Sequence, residues 1–75
     1  MTLSTMQGSI WKMVTQVYGQ WDPDWSQLMP EAELQKRLPA VPADVLDDTL
    51  ESAARDQLAE RGNVGEEKAF RPVQQ

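Results

Sequence analysis

Five prolines, at positions 23, 30, 39, 42 and 72, limit every helix this chain can build. A proline inside a helix removes one backbone donor and clashes with the preceding turn, so it belongs in the first turn or outside. The first segment this leaves contains Leu3, Met6, Ile10, Met13, Val14, Val17 and Trp21 at helical spacing. Ser4 or Ser9 can cap its start, and Gly19 can stop it; Gly8 inside the pattern costs about 1 kcal/mol against Ala. The spacing predicts a helix over residues 4–19. Val14, Thr15, Val17 and Tyr18 are good strand formers, but they do not alternate with polar residues, so helix wins.

The later prolines punctuate the rest. Asp22 before Pro23 suits an N-cap with proline at the first helical position, which predicts a short helical turn over 23–29. Pro30 opens a segment with Glu31 and Glu33 early and Lys36 and Arg37 late, matching the helix dipole over 30–38. Pro42 and Asp44 open a third segment, and Gly62 is a natural stop, so a helix is expected over 43–61. Its inner stripe is Leu46, Leu50, Ala53, Ala54, Gln57 and Leu58. Residues 62–75, GNVGEEKAFRPVQQ, show no period and read as an extended, mobile tail. The expected fold is all-α: one domain of about three helices over residues 1–61, followed by that tail.

Seventy-five residues supply a small core, rarely worth more than about 3–5 kcal/mol. Without Cys or His, neither a disulfide nor structural zinc can reinforce it. Stability must then come from helix packing, self-association or docking on a larger partner. No signal peptide and no apolar run of the ~20 residues needed to span a bilayer is visible, so a soluble, cytoplasmic protein without membrane contact is expected.

The same composition narrows the chemistry. Lacking His and Cys, the chain loses the common proton-transfer and thiolate routes, and no lysine sits in an apolar setting that would make it a base. No catalytic residue, cofactor site or metal site is assigned. Asp44, Asp48 and Glu51 share a helical face, but no calcium-binding loop surrounds them, and Arg55 is placed to pair with Glu51. The formal charge of −5 lacks the basic face that nucleic acid requires.

What remains is apolar surface. The stretch YGQWDPDW gathers three aromatic rings within residues 18–25. Around the first helix, the apolar arc spans about 160°, more than the thin alanine-rich stripe of the third helix can cover. Trp and Tyr are enriched at interface hot spots. Met6, Trp11, Tyr18 and Trp25 are therefore candidate partner-binding residues, with Phe70 as a docking residue in the tail and Trp21 closing the core. The expected function is non-enzymatic protein–protein interaction: an accessory subunit, adaptor or inhibitor of a larger protein. Two alternatives remain, an acidic decoy imitating nucleic acid and a homo-oligomer zipped along Leu3, Met6, Ile10, Met13 and Val17.

Overall fold

A computed structural model describes residues 5–73. Along them run α1 (Thr5–Trp21), β1 (Met29–Pro30), α2 (Glu31–Arg37), α3 (Ala43–Arg55), β2 (Ala59–Val64) and β3 (Glu67–Pro72). The strands form one antiparallel sheet in the order β1-β3-β2. Met29 lies opposite Phe70, and the β2–β3 ladder runs from Ala59 opposite Pro72 to Val64 opposite Glu67. The fold is therefore α+β, which corrects the all-α expectation and its extended tail.

Two local signals explain the correction. α3 ends at Arg55, six residues before the expected stop, because Gln57 takes a left-handed conformation with φ 64°. The Leu58 amide then donates to the Ala53 carbonyl at 2.8 Å and the Gln57 amide to Ala54 at 3.2 Å. That paired arrangement closes a helix C-terminus, a role usually given to glycine. Gly62 instead lies within β2, where an added Cβ would come 2.6 Å from the Leu28 side chain. Gly65 turns the hairpin at φ 65°, the first position of a two-residue loop that glycine favours. The supposed tail is thus a hairpin whose second strand is the centre of the sheet; residues 74 and 75 lie outside the described residues.

The expected helical turn over 23–29 is also absent: residues 22–28 form a turn that leads into β1. Pro30 ends this edge strand, a position where a missing amide costs no ladder bond inside the sheet. α2 and α3 otherwise follow the proline punctuation, each with proline at its N-cap.

The helices pack on the sheet through one apolar core. Ile10, Val14 and Tyr18 come from α1, Leu34 from α2, and Leu46 and Leu50 from α3. Met29 of β1, Phe70 of β3 and Val41 of the α2–α3 connection complete it. Burying a side chain such as Leu50 or Phe70 stabilises the fold by about 1.5–3 kcal/mol. The chain thus runs helix, edge strand, two helices across a five-residue connection, then a β-hairpin that forms a wing.

Candidate protein-interaction surface

The structure divides the five proposed partner-binding residues. Tyr18 and Phe70 are each 1% exposed and belong to the core. Neither offers side-chain surface to a partner, and Phe70 lies on a paired strand rather than in a free tail. Trp11 and Trp25 are half-buried against the core, as is Trp21, so the expected contrast between an inner Trp21 and two outer tryptophans is not seen. Met6 is 64% exposed.

The loop after α1 explains where the aromatic rings go. Asp22 accepts the amides of Asp24 at 3.1 Å, Ser26 at 3.0 Å and Gln27 at 2.9 Å. Burial opposes ionisation of this carboxyl, but those donors together hold it below the usual carboxylate range. The Tyr18 hydroxyl donates to the Gln27 carbonyl, and Arg71 Nη1 donates to the Trp25 carbonyl at 2.9 Å. Trp25 sits at φ 56°, a strained position for a bulky residue, costing about 1–3 kcal/mol. Its ring meets Tyr18 edge-on at 5.0 Å between centroids, while Trp21 tilts against Tyr18 at 5.8 Å. YGQWDPDW therefore closes on itself. Burial and the Asp22 charge raise the Tyr18 pKa.

Exposed apolar surface lies on the other edge of α1. The core takes the middle of its apolar arc through Ile10, Val14 and Tyr18. Met6 and Met13, the latter 40% exposed, are left on one border, with half-buried Val17 between them and the core. Of the suggested homo-oligomer stripe, Ile10 is buried and Leu3 lies outside the described residues.

Beside Met6 runs a groove of about 610 Å3 between α1 and α3, lined by Met6, Gln7, Asp44, Val45, Asp48 and Thr49. Gln7 Nε2 donates to Asp48 Oδ2 at 2.9 Å and to Ser52 Oγ at 3.4 Å, tying the two helices at its edge. Asp44 and Asp48 are exposed, whereas Thr49 is buried and donates to the Val45 carbonyl at 2.9 Å.

Sequence reasoning missed a cluster between α2, α3 and the wing. Lys68 of β3 donates to Asp47 Oδ1 at 2.6 Å and to Glu51 Oε2 at 2.9 Å, and Arg61 of β2 approaches Glu51 at 3.4 Å. Arg55, expected to pair with Glu51, instead donates to Ser52 at 3.0 Å. The bonds to Asp47 and then Glu51 raise the Lys68 pKa, and the ammonium in turn holds Asp47 low. Glu31 is different: its Oε1 is buried without a hydrogen-bond partner. Burial, then the adjacent Asp47, pushes its carboxyl up to about 7. Opposite charges far apart in the sequence were the available signal, but only the hairpin brings Lys68 to α3. Among the described residues, no group of three or more His, Cys, Asp or Glu is arranged to hold a metal ion, and no helix is long and apolar enough to cross a membrane.

No protein-family profile, curated protein or solved structure matches this chain.

Proposed function

We propose that this chain is a non-enzymatic protein–protein interaction module, a small cytoplasmic accessory subunit, adaptor or inhibitor. It docks on a larger protein through the outer edge of α1 and the adjoining face of α3. The observation that carries this reading is the charge of α3 on this scaffold. This helix bears Asp44, Asp47, Asp48 and Glu51 as its exposed or half-exposed charges before Arg55. Such a face is repelled by phosphate, so it does not argue for nucleic acid. Exposed Met6 and Met13 supply the apolar, adaptable surface that a protein partner would cover.

The decoy alternative is less well supported, because Lys68 and Arg61 neutralise Asp47 and Glu51 within the fold. The test is photo-crosslinking from Met6 and Met13 in extracts of the source cells, with a Met6→Gln/Met13→Gln variant as competitor. One heterologous protein crosslinked by both positions, and not displaced by the variant, is expected. Crosslinks only to a second copy of the chain would establish the homo-oligomer instead. No specific crosslink, or equal displacement by the variant, would remove the interaction reading.

A further inference from the structure

We propose that the α1–α3 groove receives a basic, amphipathic segment of the partner, with a lysine or arginine lying between Asp44 and Asp48; this rests on the protein-interaction reading. The floor and the rim of the groove ask for different things. Met6, 64% exposed, and half-buried Val45 present apolar surface. Asp44 and Asp48 stand one helical turn apart on the α3 side and are both exposed. Like charges at this spacing repel, and a bound cation would relieve that repulsion.

Among the described residues, no ion pair reaches Asp44 or Asp48. Among the described residues, Lys68 and Arg61 go to Asp47 and Glu51, Arg71 goes to Glu60, Arg37 goes to Glu33, and Arg55 donates to Ser52. Asp48 accepts a bond from the neutral Gln7 amide. No lysine or arginine is among the described residues that line the groove. A lysine or arginine side chain satisfies both demands at once, because its aliphatic stem lies along apolar surface while its charged head reaches the carboxylates. The methionine thioether adapts to the shape of the stem and its apolar neighbours. An acidic segment would be repelled from the rim, and a purely apolar one would leave both carboxylates partly desolvated without a partner.

The experiment is a nuclear magnetic resonance titration of the full chain, labelled at backbone nitrogen and at the methionine methyls. One probe is an amphipathic helical peptide with leucines along one face and lysines bordering it; the other has glutamate for every lysine. Saturable shifts of the Met6 methyl and of the Asp44, Val45, Asp48 and Thr49 amides are expected with the lysine peptide alone. Asp44→Asn/Asp48→Asn should weaken that binding by about tenfold or more, the weight of one well-placed charge contact, and leave amides remote from the groove unshifted. Equal response to both peptides, or wild-type affinity in the double variant, overturns the proposal. Saturable shifts confined to Met13 and its neighbours overturn it too, while leaving the interaction reading intact. That reading falls separately, through the crosslinking result.

Discussion

Asp22 and Glu31 are two carboxylates flanking β1, and the fold treats them in opposite ways. Asp22 collects three backbone amides and a hydroxyl, and stays ionised below the usual range. Glu31 points one buried oxygen at no donor and keeps its proton to about 7. Burial raises a carboxyl in both places. At Asp22 the donors outweigh it, whereas at Glu31 the neighbouring Asp47 adds to it. The aromatic loop is tied by the Asp22 carboxylate, the Tyr18 hydroxyl and Arg71, whereas the junction of α2, α3 and the wing holds three carboxylates around Lys68. The first region should behave as a rigid core element, and the second as a charge-sensitive joint.

The largest expected effect comes from breaking the aromatic loop at its platform. Tyr18→Ala removes the ring on which Trp21 and Trp25 lean and the hydroxyl that holds the Gln27 carbonyl. A loss of about 3–5 kcal/mol, as for other buried aromatic deletions, would consume most of the stability a domain of this size has. Urea titration followed by tryptophan fluorescence measures it. A loss below about 1 kcal/mol would show that the loop does not depend on Tyr18.

Asp22→Ala should come next, because it leaves the Asp24, Ser26 and Gln27 amides without their acceptor. The sign with pH follows from the lowered pKa. The Asp22 contribution is present above the unfolded value near 3.8 and is lost as pH falls through the still lower folded one. Wild type should therefore lose near-ultraviolet circular dichroism on acidification below about 4, and Asp22→Ala should have lost much of that signal already at neutral pH. An identical acid transition in the two proteins would contradict the capping role.

Glu31→Gln probes the other side, with the opposite sign. Glu31 binds its proton more tightly folded than unfolded, up to about 7 against 4.5. Its contribution is full below 4.5 and fades as pH climbs through 7. The site is partly solvated, so the effect should be held to about 1 kcal/mol. Between pH 5 and 8 wild type should lose that stability and Glu31→Gln should not, as read from urea midpoints. Parallel curves would mean that Glu31 is an ordinary surface carboxylate.

These two regions were unequally legible in the sequence. Asp22-Pro23 has the pattern of a helix start, and its carboxylate does cap amides; what it caps is a turn. Gly62 looked like the end of α3, yet Gln57 ends the helix, and nothing in a glutamine announces a left-handed residue. The expected elements divide β2 between the third helix, residues 59–61, and the tail, residues 62–64, because five of its six residues are at least partly exposed and no apolar alternation marks a strand. Glu, Gly and Asn are poor strand formers, so this edge owes its conformation to pairing with β3. The Lys68 cluster depends on that pairing, which is why it had no local signature. Helices α1, α2 and the start of α3, by contrast, were set by prolines and apolar spacing, which act locally. Met6 was legible for the same reason: on a wide apolar arc, some border residue must remain outside.

The smallest expected change in stability belongs to a site outside both regions. Met13 is 40% exposed on the outer edge of α1, and a glutamine there keeps both helix propensity and approximate length. Met13→Gln should shift the urea midpoint by no more than about 0.5 kcal/mol equivalent, as for other surface substitutions. It should also leave the pH dependence assigned to Glu31 and the acid transition assigned to Asp22 unchanged. If Met13→Gln instead costs as much as Glu31→Gln, the outer edge of α1 is covered in the free protein, and self-association becomes its first explanation. Sedimentation over a range of protein concentration then decides the matter, because a dimer buried on Met13 would dissociate on dilution and in the variant. A monomer at every concentration, with stability untouched, leaves that edge open for a different protein.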